Sequence, residues 1–493
     1  MFSPYHEVIE QFHRPKVLVV GDIIMDSYLA GTSTRLSPEA PVPVVAISSQ
    51  NDVIGGAGNI AINLKSLGAE VVFLSAVGHD ENGDKATRLL RRCGIETAVF
   101  QDSSRKTMVK TRVTSDGQIL ARFDYGSECA VTGETEQEIV NYLICNYEYF
   151  DIIMLGDYYR GILTDKVIDA IQKLQQRFQK FLAIDSKDLK AFKSTRPTLV
   201  KPNYLEATRL LQLPVRKTDR VGQISSKGKV LYQKTGAKII ALTLDYDGAV
   251  IFTEGHLIYQ SIAYPVAAPN VVGAGDTFIS AYILALYAGA AIPSATELST
   301  AASAIAVQKE GTASCSNMEL GAFFSIRHKL VSELEELKKL REIYVAQGKK
   351  VVFTNGCFDI LHSGHISYLN KSKEFGDVLI VAVNDDESIK RVKGPDRPIN
   401  SLADRMEVLS GLSSVDHIIS FGENGIDLPV ELIKEIRPHV FTKGGNYSIE
   451  TLPEASAVQE VGGKIEFVPF IPEHSTTLII HKIKKGNSFK IGI

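Results

Sequence analysis

Two runs of alternating β-rich and helix-period segments, separated by one Glu/Lys/Leu-rich stretch, constrain this chain more than any other feature. Residues 16–20, 42–47, 71–77, 152–155, 181–184 and 239–244 form the first series, which predicts an α/β fold with a largely parallel sheet. A second series opens at 350–354 and continues at 378–383, 417–421, 439–442 and 465–468. A chain of 493 residues exceeds what one hydrophobic core serves, so size alone also asks for at least two cores. The expected division is a domain at 1–315, a connecting helix at 316–347 with Leu330, Leu334, Leu337 and Leu340 at helical spacing, and a second domain at 348–493.

Charge narrows the partners. Lys plus Arg number 54 against 57 Asp plus Glu, so no bulk field attracts nucleic acid or an anionic membrane, and any phosphate site must be local. The five cysteines form no C-x-x-C pair, and no basic segment leads into an apolar run near Met1, so a reducing, cytoplasmic setting is expected. The uncharged stretch 277–296 holds Ser280, Gly289 and Pro293 and falls short of the roughly 20 apolar residues of a membrane span, which predicts a buried helix.

The sharpest local signal in the first half is GAGDTF, Gly273 to Phe278, directly before that helix. Backbone N–H groups of Gly273, Ala274 and Gly275 at a helix start can hold the charge that develops on a transferring phosphoryl group. Asp276 inside the same turn is placed to take the proton of an attacking hydroxyl; the bland alternative is a helix cap. Four other segments keep it company. Asp22 in VGDIIMD lies just past a strand's carboxyl end. GGAGN, residues 55–59, adds a second glycine-rich loop with Asn59. Asn203 and Glu206 in KPNYLE suit a hydrated Mg²⁺ near phosphates. TLDYDGA, residues 243–249, offers a turn beside Thr243 and Gly248 where a nucleotide can lie. GAGNIA at 56–61, with Asp80 downstream, also matches a dinucleotide fingerprint, which keeps an oxidoreductase as the rival reading.

In this order these motifs resemble the ribokinase-like sugar kinase family over about residues 15–315. The resemblance implies a three-layer sheet domain with a small β lid, Asp276 as catalytic base and the Gly273–Ala274–Gly275 backbone as anion hole. It further implies that Asn203, Tyr204, Leu205 and Glu206 serve ATP, with Glu206 on Mg²⁺ through water, and that Asp22, Gly55, Gly56 and Asn59 hold the sugar. Asn270 and Val272 stand where many members carry Asp and Thr, so the family's monovalent-cation site lacks its usual residues here.

The second half begins with a strand, a loop and then His362 and His365 three apart, one helical face near an electropositive helix start. Zinc with Asp359 as third ligand is one reading. Imidazole N–H groups holding an α-phosphate is the other, with Lys393, Arg397 and Arg405 as converging cations and Ser475, Thr476 and Thr477 as hydroxyl donors. The set resembles the cytidylyltransferase-like nucleotidyltransferase family over about 350–485. That resemblance implies a Rossmann-like domain, Mg²⁺ dependence, pyrophosphate release, and a nucleotide lined also by Thr354, Asn355, Gly356 and Phe358.

Across nearly all 493 residues, RLSPEAPVPVV (35–45), TNGCFDILHSGH (354–365), VKGPDRPIN (392–400) and TKGGNY (442–447) resemble the family of bifunctional heptose 7-phosphate kinases and heptose 1-phosphate adenylyltransferases. The resemblance implies phosphorylation of D-glycero-β-D-manno-heptose 7-phosphate at O1, removal of the 7-phosphate by a separate phosphatase, and adenylyl transfer from ATP to give ADP-heptose for lipopolysaccharide. Lys110, Arg112, Arg122 and Lys187 are candidates for the 7-phosphate, and a homodimer is expected. Residue type leaves three alternatives open: another sugar phosphate, CTP in place of ATP, or one half retained only as a sensing module.

Overall fold

Strand Lys16–Gly21, KVLVVG, is buried at every position but its first, which places it inside a sheet covered on both faces. In the computed structural model it pairs in parallel with Glu70–Gly78 on one side and Ile152–Asp157 on the other. The described residues are 4–115, 118–266, 272–309, 311–327, 329–331, 333–445 and 447–469. The sheet has nine strands in the order His256–Ser261, Ala249–Thr253, Ile239–Thr243, Leu199–Val200, Phe181–Ser186, Ile152–Asp157, Lys16–Gly21, Glu70–Gly78 and Glu96–Asp102. Two successive antiparallel pairings, Ile239–Thr243 with Ala249–Thr253 and the latter with His256–Ser261, close one edge, and the remaining pairings are parallel. The strand order reverses between Lys16–Gly21 and Ile152–Asp157, and the crevice beyond their carboxyl ends is where open sheets of this kind take ligands.

Four further strands form a separate lid sheet, ordered Pro43–Gly56, Ile23–Leu36, Met108–Ser115 and Gln118–Tyr125. The uncharged stretch is two helices rather than one, Ala274–Tyr287 and Ile292–Ala306. Gly289 ends the first with a φ of +84° and Pro293 starts the second, two residues that the helix interior does not accommodate. Ala274–Tyr287 packs along Ala57–Ser66, joined by hydrogen bonds from Thr277 to Asn63 and from Ser280 to the Ile60 carbonyl.

The chain divides into two units, Met1–Ala322 and Phe323–Ile493. In the second, five parallel strands run in the order His417–Phe421, Val378–Asn384, Val351–Gly356, Val440–Gly444 and Lys464–Val468. Here the order reverses between Val351–Gly356 and Val440–Gly444. The stretch expected to connect the domains as one helix contains two, Asn317–Arg327 and Leu334–Ala346. Asn317 bonds the carbonyls of Ile9 and Leu67 in the first unit, whereas Leu337 and Tyr344 are buried in the second unit's core. Leu330 sits on neither helix and bridges to Ile418, so the leucine spacing overran the element. Among the described residues no helix is long and apolar enough to cross a membrane.

Candidate active sites

The glycine-rich turn and the first switch point meet at Asp276. Gly273 caps helix Ala274–Tyr287 with a φ of +83°, a left-handed conformation that a side chain resists, and Asp276 occupies the helix's first turn. A β-carbon on Gly275 would lie 3.1 Å from Lys201 Nζ, so the missing side chain lets an ammonium approach the turn's backbone. The Asp276 carboxylate receives Asn59 Nδ2 at 2.6 Å on one oxygen and the Tyr158 hydroxyl at 2.5 Å on the other. Burial, then Asp185, push its pKa up to about 6, against the hydrogen bonds and Lys201. A carboxylate with that affinity is suited to accept a proton near neutral pH.

Lys201 and Asp185 form a buried ion pair at 3.2 Å, with Glu206 nearby. Asn203 and Glu206 make a reciprocal capping box at the start of helix Tyr204–Leu211: Glu206 N–H donates to Asn203 Oδ1 at 2.9 Å and Asn203 N–H to Glu206 Oε2 at 2.8 Å. The bland cap is therefore real, yet Glu206 also faces Asp185 and Lys201, and burial raises its pKa. Thr243 adjoins Asn203 through an isolated bridge, and Gly248 closes the turn that follows. Tyr204 turns inward to Gln223, and Leu205 is exposed.

On the lid sheet the register aligns Asp26, Lys110 and Asp124 in one row and Tyr28, Arg112 and Arg122 in the next, all on one face. Arg112 bonds Asp26 at 2.6 Å, and Arg122 grips Asp124 with two nitrogens. Lys110 is half-buried; desolvation lowers its pKa, opposed by Asp26 and reinforced by Arg122 and Arg160. Three of the four expected basic residues thus share a face. Lys187 does not: it lies toward Glu206.

In the second unit His362 caps helix Ser363–Lys373 and His365 occupies its first turn, their rings stacked with centroids 3.9 Å apart. Phe358, at a φ of +47°, brings its ring to 5.4 Å from His365. Burial, then His362 and Lys393, lower the His365 pKa to about 4, so the ring is neutral at pH 7. Asp359, the candidate third zinc ligand, is spent on Arg397 and the N–H groups of Ile399 and Asn400. Asn355, beside Gly356 at the strand end, bonds Lys443 and Glu454.

Residues 14–319 match the model of the pfkB family of carbohydrate kinases, and 353–487 the cytidylyltransferase-like model. The chain is 36% identical to the bifunctional protein HldE of Desulfatibacillum aliphaticivorans over 97% of its own length and 98% of that protein. It is 35% identical to its counterpart in Geobacter sulfurreducens, covering 95% of this chain and 96% of that one. The chain belongs to the HldE family. Phosphofructokinase-2 from Escherichia coli, 19% identical, superposes with a TM-score of 0.53 over 63% of this chain and 98% of its own, which shows the fold of the first unit. This HldE-family chain is a bifunctional enzyme, a heptose kinase and an adenylyltransferase.

Set against that membership, several residues have tasks other than those expected. Asp22 accepts from the N–H groups of Tyr158, Arg160 and Ile162 and is 1% exposed, so its carboxylate organises the switch point rather than facing a sugar. Asn59 likewise spends its amide donor on Asp276, and Gly55 and Gly56 finish the lid strand leading into its helix. Thr354 bonds Tyr368 and the Thr442 carbonyl. Arg405 is fully buried on the Cys357 and Asn400 carbonyls and Asp386, holding the loop in place, whereas Lys393 is exposed. The oxidoreductase fingerprint fails in context: the strand before GAGNIA belongs to the lid sheet, where it pairs antiparallel with Ile23–Leu36, and Asp80 caps the helix Glu81–Arg92. Asn270, Ser475, Thr476 and Thr477 lie outside the described residues. Sequence reasoning missed Tyr158, Asp185, Lys201 and Arg220. Three of them sit at or just past strand ends, a usable signal; Arg220, which braces the 245–247 turn through Asp245 and Asp247, gave none.

Proposed function

We propose that the two units act in succession on one sugar, the first making the phosphate that the second uses. Asp276 takes the proton from O1 of D-glycero-β-D-manno-heptose 7-phosphate as that oxygen attacks the γ-phosphorus of ATP, and ADP leaves. The N–H groups of Gly273, Ala274 and Gly275, with Lys201 against Gly275, face the transferring group. Lys110 with Arg112 and Arg122 holds the 7-phosphate; an ammonium whose pKa burial lowers gains most from an added dianion. Glu206 has one carboxylate oxygen outside its capping bond, which fits a water-mediated contact to Mg²⁺. When bound, Mg²⁺ neutralises charge on the ATP phosphates.

After a separate phosphatase removes the 7-phosphate, an oxygen of the 1-phosphate attacks the α-phosphorus of ATP and pyrophosphate departs. Neutral His365, with His362, donates hydrogen bonds to that α-phosphate, and Lys393 adds positive charge. The enzyme works in the cytoplasm, and the exposed strand Gln118–Tyr125, with Ile119, Phe123 and Tyr125 uncovered, suits pairing of two lids in a homodimer. We place the end of the kinase domain near residue 315.

The observation that carries this reading is Asp276, a partly buried carboxylate with its pKa near 6, set directly in the glycine turn at the switch point. Phosphorus NMR with ATP, Mg²⁺ and the heptose 7-phosphate tests it. The 1,7-bisphosphate is expected first, then pyrophosphate and ADP-heptose once the phosphatase is added. No bisphosphate from folded, ATP-binding protein overturns the substrate, and pyrophosphate only with CTP overturns the base.

A further inference from the structure

We propose that Tyr158 is a positioning residue of the kinase unit: a strut, seated by Asp22, whose hydroxyl aims the Asp276 carboxylate. The proposal rests on Asp276 being the base. The segment after strand Ile152–Asp157 wraps around Asp22, which accepts from Tyr158 N–H at 2.8 Å, Arg160 N–H at 3.1 Å and Ile162 N–H at 3.2 Å. Asp22 N–H in turn donates to the Gly156 carbonyl at 3.2 Å, so both edges of the switch point are tied to one residue. That seat fixes the Tyr158 backbone while its phenol reaches Asp276 Oδ1 at 2.5 Å.

A carboxylate turns easily about its last bond. Here each oxygen has one side-chain donor, Asn59 from helix Ala57–Ser66 and Tyr158 from the opposite side of the switch point, so the carboxylate plane is set by two separate elements. The remaining lone pairs then point in a fixed direction toward an attacking hydroxyl, which is what proximity catalysis demands. Toward the ionised Asp276 carboxylate Tyr158 donates: burial, with Asp276, Asp185 and Glu206 around it, holds the phenol protonated far above neutral pH. The charged groups facing Asp276 are Asp185 and Lys201, paired with each other, and both remain when the phenol is removed. This also gives Asp22 its purpose, since a buried carboxylate saturated by three amides has little capacity left for a ligand.

Tyr158→Phe tests the strut in the full-length enzyme. The expected result is a kinase kcat lowered about tenfold or more, little change in KM for ATP or sugar, and an acid limb of the kcat profile moved to higher pH, because the ionised base has lost a donor. Asp22→Asn keeps the phenol but loosens its seat, and it removes a carboxylate whose own pKa burial raises to about 6; it should move the limb in the same direction as Tyr158→Phe, by less. Unchanged kcat and limb in Tyr158→Phe, with only a lower Tm, would make the phenol merely structural. A rise in sugar KM at constant kcat would make it a ligand contact, which also overturns the strut. Asp276→Asn is measured alongside: substantial kinase activity there overturns the base assignment itself, a separate failure.

Discussion

In the first unit the group proposed to react is an acid, Asp276, and in the second it is a base, His365, both of them partly buried. Burial is the largest influence on both, and it favours the neutral form of each. The consequences diverge because the two reactions ask for different things. For Asp276 the shift to about 6 brings the carboxylate toward the pH at which a proposed base has to accept a proton. For His365 the shift to about 4 removes the ring from titration near neutral pH, leaving the neutral N–H donor that the proposed α-phosphate contact needs. The same desolvation thus tunes the proposed base in one unit and keeps the proposed hydrogen-bond donor constant in the other. The surroundings match: Asp276 is held by two donors and opposed by Asp185, whereas His365 has His362 stacked on it and the Lys393 charge nearby.

The contrast breaks most sharply on Asp276→Asn. Kinase turnover should fall by about 10²–10⁴-fold, while adenylyl transfer to supplied heptose 1-phosphate persists; loss of both in folded protein would deny that the two chemistries are independent. His365→Ala is the mirror experiment, with adenylyl transfer down about 10²–10³-fold and ADP release by the kinase unaffected. A Lys110→Ala variant sharpens the first unit alone: KM for the heptose 7-phosphate should rise about tenfold or more with KM for ATP steady, and equal rises in both would remove Lys110 from the phosphate site. The gentlest probe is pH. A base with its pKa near 6 is mostly ionised at pH 7 and about one-tenth ionised at pH 5, so kinase kcat should drop roughly tenfold across that interval. A ring with its pKa near 4 stays about nine-tenths neutral at pH 5, so His365 should cost the transferase little over the same range. Parallel acid limbs for the two activities would erase the distinction.

The five strands of the second unit's sheet and five of the nine in the first were legible along the chain because buried parallel strands leave apolar runs, such as the seven buried residues of Val378–Asn384, whereas the run 42–47, read as part of the same series, lies in the lid. The helical pattern was less exact. Leucine spacing carried Leu330 onto a helix it does not join, since periodicity does not register a strand bridge made to a distant segment. Motifs with a local geometry were equally visible: a glycine turn before an acid, and two histidines three apart at a helix start. What chain order could not express was which donors each carboxylate meets. Asp22 and Asn59 were read as facing a sugar, and they instead face the backbone at Tyr158 and the Asp276 carboxylate.

What the sequence determined by itself was therefore the two α/β units, and it singled out Asp276, His362 and His365 as the groups proposed to react; the strands that carry Lys110, Arg112 and Arg122 came from the structure. The units and those three groups depend on neighbours within a few residues, through strand periodicity or the geometry of one turn. Only the tertiary structure decided that Tyr158, Asn59, Asp185 and Lys201 converge on Asp276, that Lys187 belongs with Glu206, and that Arg405 holds a loop. Those relations join residues dozens to hundreds of positions apart, and they exist because parallel strands bring their carboxyl ends to one edge of the sheet regardless of their order in the chain. The same convergence excludes water there, and it is the exclusion of water that moves Asp276 and His365 away from their ordinary proton affinities.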